Sequence, residues 1–182
     1  MIYVFLGRGF EEMEAIAPID ILRRGDIEVK TVSITDDKFV TGTHGIKVEA
    51  DITYKEIETE RLEGVILPGG MPGTLNLEKS DAVQKLLEFA DEHNLLIAAI
   101  CAAPSILGHK GLLKGKKATC FKGFEKDLIG AMVLPQKVVT DGNIITCYGA
   151  GAAYDFGFQI LSYLEGNDNK SNDISSSMRY SE

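Results

Sequence analysis

The segment LLIAAICAAPSILG, residues 95–108, constrains the fold more than any other part of the chain. The unbroken apolar run from Leu95 to Ile100 fits a strand buried on both faces of a parallel sheet. Cys101 follows directly, and Pro104 suits the first turn of a helix. A side chain at so tight a strand-to-helix junction is pushed onto the carboxyl edge of the sheet, where open α/β folds bind ligands. Such a turn strains the backbone and needs small neighbours, here Ala99 and Ala103. This is the nucleophile-elbow pattern with Cys in place of Ser and Ala in place of Gly. The helix that follows points its N-terminus at the sulfur, which is expected to favour thiolate and lower the thiol pKa. The alternative is an inert, buried core thiol.

The rest of the chain repeats the alternation of strand and helix. Residues 2–6 form an apolar run closed by Gly7, which predicts a first buried strand. Residues 13–24 predict a helix with Ile16, Ile19 and Leu22 on its buried face and a kink or restart at Pro18. A strand is expected over 28–34, a short hairpin over 41–50 around Gly42 and Gly45, and another buried strand over 64–67. A helix over 80–93 has Ser80 as its cap and Val83, Leu86, Leu87 and Ala90 as its stripe. Strands are expected over 117–120 and 144–147, and a helix over 151–164 faces in with Phe156, Ile160, Leu161 and Leu164. Residues 1–166 thus form one α/β domain with a mostly parallel sheet and helices on both faces. The polar tail, 167–182, has Ile174 and Met178 one helical turn apart and room for one docking helix.

A formal net charge of −8 with scattered Lys and Arg argues against nucleic acid and anionic membrane as partners. No apolar run is long enough to span a bilayer, and the N-terminus lacks the features of a signal peptide. Three cysteines in no pairing or metal spacing read as free thiols of a reducing compartment, so a cytoplasmic location is expected. No ligand cluster and no GxGxxG after a strand suggests a metal or nucleotide, so no cofactor is expected.

Two further motifs belong beside Cys101. GFEEMEA, residues 9–15, follows the first strand and opens on the same carboxyl edge, so Glu14 can reach the sulfur. A protonated carboxyl there can donate to thiolate, and burial favours that neutral form. Glu11, Glu12 and Glu14 also fit a plain acidic first turn. PGGMPGT, residues 68–74, presents backbone N–H groups that could join the amide of Ala102 in an oxyanion hole.

With IDILRR, VILPGG, AAICAAP and GAGAAYDFGFQIL in order, these motifs resemble the ThiJ/PfpI superfamily over nearly the whole chain, nearest its parkinsonism-associated deglycase branch. The resemblance implies a flavodoxin-like three-layer sandwich related to class I glutamine amidotransferase domains. It implies a low-pKa, oxidisable Cys101, Glu14 as its hydrogen-bond partner, and oxyanion N–H groups from Gly70 and Ala102. It also implies a homodimer built partly from the first helix, and a small electrophilic substrate or peroxide as the reacting partner. Family activities include cofactor-free glyoxalase chemistry, deglycation, redox-regulated chaperoning and peptidase activity.

The chain departs from the family near residue 121, where several members place a His and this sequence has Phe121. His93 and His109 read as helix-end residues, and His44 falls where the family often has Arg, near the site mouth or dimer edge. Without a Cys–His dyad, peptidase and amidotransferase chemistry lose their general acid. Glyoxalase or deglycase chemistry through Cys101 and Glu14 stands first, redox sensing or chaperoning second and peptidase or amidase activity third. His44, Phe121, Tyr148 and Cys120 are candidate pocket residues, with Cys120 either a resolving thiol or a core side chain and Cys147 structural.

Overall fold

The computed structural model describes residues 1–180. In chain order the elements are β1 (Ile2–Leu6), α1 (Glu12–Arg24), β2 (Val29–Ser33), β3 (Phe39–Thr41), β4 (Lys47–Glu49), β5 (Ile52–Thr53), β6 (Gly64–Leu67), α2 (Gly73–Glu78), α3 (Asp81–Glu92), β7 (Leu96–Ile100), α4 (Pro104–His109), β8 (Lys117–Ala118), β9 (Met132–Val133), β10 (Val138–Asp141), β11 (Ile144–Cys147), α5 (Ala153–Glu165) and α6 (Asn169–Ser177).

The apolar runs become the centre of a seven-stranded sheet in the order β10-β11-β7-β6-β1-β2-β5. Every residue of β1, β6, β7 and β11 is buried, as expected of strands covered on both faces. All pairings in this sheet are parallel except β10 with β11. One core layer joins the sheet to α1 and α5 and takes in Ile174 of α6, and the other joins it to α3 and α4. The chain is therefore a flavodoxin-like α/β sandwich. Between β1 and β6 the strand order reverses and the connecting helices leave for opposite faces, which opens a crevice at the carboxyl edge.

Several local expectations are corrected. Of the kink or restart expected at Pro18, the restart does not occur: α1 continues through the proline. The proline forfeits one helical hydrogen bond, but it is buried against α5 at Gly157, where an added Cβ would lie 3.0 Å from the Pro18 Cα. Ile16 is 43% exposed rather than buried. Ser80 occupies the N-cap position of α3 without a side-chain capping hydrogen bond. The strand expected over 117–120 is only β8, paired with β9 in a small ladder outside the main sheet. It ends because the next amide, Thr119 N–H, donates to the Thr146 hydroxyl at 2.9 Å instead of to a strand. The hairpin of β3 and β4 forms around Gly42 and Gly45 as expected.

Candidate active site

Four adjacent parallel strands, β11, β7, β6 and β1, end at one crevice, and each delivers a piece of the site. After β7, Cys101 turns the chain with φ +65°, the left-handed region that costs a non-glycine residue about 1–2 kcal/mol. Its N–H donates to the Cys147 carbonyl at the end of β11, and its carbonyl accepts from Phe121 N–H, both at 2.8 Å. The elbow is thus held from two sides, and Ala99 and Ala103 are fully buried beside it.

After β1, Glu11 caps α1, its Oε2 accepting from Glu14 N–H at 2.8 Å. Its own N–H donates to the Gly69 carbonyl at 2.9 Å, which ties the helix start to the glycine loop after β6. One residue into the helix, Glu12 turns outward; three residues in, Glu14 turns inward and is 1% exposed. Glu14 Oε2 accepts from Gly69 N–H at 2.9 Å, and the Ala150 amide after β11 also donates to this carboxyl. Gly69 is required by the close approach: a Cβ there would lie 2.6 Å from Glu14 Oε2 and 2.7 Å from the Cys101 Cβ.

Glu14 hydrogen-bonds the Cys101 thiol, and the amides of Ala102 and Gly70 also donate toward the sulfur. Gly70 reaches this position with φ +92°. Burial pushes the Glu14 carboxyl up to about 7; the Cys101 hydrogen bond pulls it down, the charge of Glu11 raises it, and the Gly69 and Ala150 amides pull it down. Burial, followed by the charge of Glu14 and its hydrogen bond, pushes the Cys101 thiol up to about 12 against the pull of the two amides. The low-pKa thiol expected from the sequence is therefore corrected. Helix α4 has only six residues and begins three positions past the sulfur, so its dipole does not outweigh burial and a facing carboxylate. Cys101 and Glu14 behave as a coupled pair that holds one proton between them above about pH 7.

The other candidates divide. Cys120, Phe121 and Tyr148 line a pocket of about 430 Å³ beside the elbow. The Phe121 ring lies 3.1 Å from where a Cβ on Gly149 would sit, and that point is 4.0 Å from Glu14 Oε1. His44 instead pairs outward, its Nδ1 2.9 Å from Glu12 Oε2 and its N–H donating to Glu12 Oε1 at 2.8 Å. Glu11, Glu12 and His44 bring their ligand atoms within 4.8 Å of one another, a cluster that sequence spacing does not reveal. His109 bonds Glu78 and Asp127, and His93 stacks on Phe89. Among the described residues no histidine therefore hydrogen-bonds Cys101 or Glu14. All three cysteines are free, and Cys147 donates weakly to the Ala152 carbonyl at 3.6 Å. No helix among the described residues is long and apolar enough to cross a membrane.

A cysteine on a strained elbow, faced by a buried glutamate at the edge of a parallel sheet, defines a class of cysteine-centred flavodoxin-like proteins. The chain belongs to the DJ-1/PfpI family, whose sequence profile matches residues 1–163. It is 34% identical to Protein dj-1beta of Drosophila melanogaster over 91% of this chain and 89% of that one. It is 33% identical to Deglycase PfpI of Pyrococcus furiosus over 86% and 94%. It is 36% identical to Protein DJ-1 homolog B of Arabidopsis thaliana over 90% of its own length, but spans only 38% of that relative. The crystal structure of a cysteine-to-alanine variant of a DJ-1 superfamily protein from Salmonella typhimurium superposes with a TM-score of 0.95 at 34% identity, covering 100% and 98% of the chains. Oxidized Toxoplasma gondii DJ-1 superposes with a TM-score of 0.94 at 31% identity over the same shares.

Proposed function

We propose that the chain is a cofactor-free enzyme that converts α-oxoaldehydes to 2-hydroxy acids through Cys101 and Glu14. The observation that carries this reading is the buried Glu14 carboxyl, poised near neutrality against the sulfur. A carboxyl with a pKa near the working pH can both take and return a proton. The deglycase name of the Pyrococcus furiosus relative supports chemistry on carbonyl-damaged groups in the same family.

The steps balance without an outside oxidant. Cys101 Sγ adds to the aldehyde carbon of R–CO–CHO while its proton passes through Glu14 to the aldehyde oxygen, giving a hemithioacetal. The Gly70 and Ala102 amides hold the developing oxyanion. Glu14, now a carboxylate, removes the hydrogen from C1 and returns a proton to C2, while the proton of the C1 hydroxyl passes to the C2 oxygen. C1 is thereby oxidised and C2 reduced, leaving the thioester R–CH(OH)–CO–S–Cys101. Water cleaves the thioester, releasing R–CH(OH)–COO⁻ and restoring the thiol. Methylglyoxal without glutathione should yield lactate over many turnovers with wild type and none above background with Cys101→Ser. Equal lactate from both proteins would end this reading.

A second reading is redox sensing. Two amide donors and a protonated Glu14 around the sulfur are suited to hold sulfinate oxygens. Graded peroxide followed by mass spectrometry should then find sulfinic acid at Cys101 before any oxidation of Cys120 or Cys147. A peptidase or amidase reading has no imidazole at the sulfur to protonate a leaving amine.

A further inference from the structure

The pocket beside the elbow carries an inference about what the α-oxoaldehyde bears, and it rests on the reading above. Its walls are mostly hydrocarbon and sulfur: Cys120, Phe121, Val133, Leu134, Pro135 and Tyr148. Phe121 is 49% exposed and Val133 37%, so apolar surface is left open to solvent at this concavity. Its volume, about 430 Å³, is far more than a methyl group needs. Its polar neighbours, Lys122, Glu125 and Gln136, are exposed side chains.

The pocket borders the backbone that holds the reacting groups, while Cys101 and Glu14 themselves lie outside its lining. Phe121 N–H donates to the Cys101 carbonyl, and Tyr148 directly follows Cys147, whose carbonyl accepts from Cys101 N–H. The Phe121 ring packs at Gly149, beside the Glu14 carboxyl. A substrate whose carbonyl carbon meets Cys101 can therefore lay its substituent between Phe121 and Tyr148. Between these aromatic side chains there is no fixed charge, Lys122 and Glu125 standing at the solvent-facing rim, and the rings reward a flat or branched apolar group.

We propose that this pocket selects α-oxoaldehydes with a bulky apolar substituent, aryl or branched alkyl, over methylglyoxal. Hydrophobic discrimination of this kind supports a kcat/KM for phenylglyoxal at least about tenfold above that for methylglyoxal. Val133→Asp places a charge in the pocket wall, on an exposed side chain away from Cys101 and Glu14. It should lower kcat/KM for phenylglyoxal about tenfold more than it lowers kcat/KM for methylglyoxal. Equal turnover of the two aldehydes, or an equal loss on both in the variant, overturns the proposal while leaving the enzyme reading intact. If neither aldehyde reacts, the enzyme reading falls, and binding decides the pocket. Mandelate should bind Cys101→Ser at least about tenfold more tightly than lactate by calorimetry, and Val133→Asp in that background should abolish the difference. No preference for mandelate overturns the proposal.

Discussion

Glu12 and Glu14 sit two residues apart in the first turn of one helix and live in opposite electrical worlds. Both are buried, at 6% and 1% exposure, so burial alone would raise both. Glu12 receives the His44 side chain, its own and the His44 backbone N–H, and Ile46 N–H, and these donors outweigh burial and lower its pKa. In return Glu12, by hydrogen bond and by charge, raises the His44 pKa. Glu14 meets a thiol and the like charge of Glu11 instead of a cation, and it ends near 7. The helical period of 3.6 residues turns neighbours at this spacing to different sides. One side is tied to His44 and the hairpin backbone, and the other faces the sulfur.

The contrast breaks most visibly at Glu14. Glu14→Gln removes the proton carrier but keeps the shape, and should lower kcat on methylglyoxal on the order of a hundredfold or more. Glu12→Gln should stay within about threefold, because Glu12 holds His44 and the hairpin backbone and does not face the sulfur. Similar losses in both variants would show that the first turn as a whole matters rather than the inward carboxyl.

Stability should separate the two by sign. For Glu14 the folded pKa is raised from 4.5 to about 7, so the folded state binds the extra proton in that window. Its contribution is present below about pH 4.5 and is lost as pH rises through about 7, a fall on the order of 3 kcal/mol. Denaturant midpoints should show wild type losing stability relative to Glu14→Gln over that range. Glu12, with a lowered pKa, contributes stability above 4.5 that is lost as pH falls through its folded value, and Glu12→Gln should remove that acid-side loss. The rate should follow Glu14, with kcat/KM rising through about pH 7 as the carboxyl ionises and a flat profile in Glu14→Gln.

Smaller effects sharpen the comparison. Gly69→Ala pushes a methyl between Glu14 and Cys101, and should cost about 1–3 kcal/mol of stability together with most of the turnover. The outward face of α1 continues from Glu12 to Ile16, which is 43% exposed, beside Met13 at 53%. We propose this face as part of a homodimer contact. Ile16→Arg should then shift sedimentation toward monomer and leave turnover within about twofold. An unchanged sedimentation coefficient would remove α1 from the interface.

The parallel core and the elbow were readable because long apolar runs and a Cys–Ala–Ala–Pro junction are local signals. Glu14 was readable only with the family pattern, since a carboxylate in a first turn has an ordinary explanation. What escaped the sequence was decided over long separations. The Glu12–His44 pair spans 32 residues. The edge strand β10 is short and half polar, so it has no apolar run to announce it. The truncation of β8 depends on one hydroxyl across the fold, and the fate of Ile16 on which side of α1 meets α5. The thiol's acidity is not legible in the sequence, because it is set by the depth of burial and by the charge of the facing Glu14, which the chain's order does not reveal.

The four-strand origin of the site also governs when it comes into being during synthesis. The ribosome releases β1, β6 and β7 before β11, yet the Cys147 carbonyl and the Ala150 amide come from β11 and the turn after it. Until that strand docks, a nascent chain lacks the contact of Cys147 with Cys101 and of Ala150 with Glu14. Parallel strands joined across long stretches of chain dock late. The full set of contacts around the sulfur therefore closes only once β11 is in place, and a chain cut short before residue 144 would carry the cysteine without them.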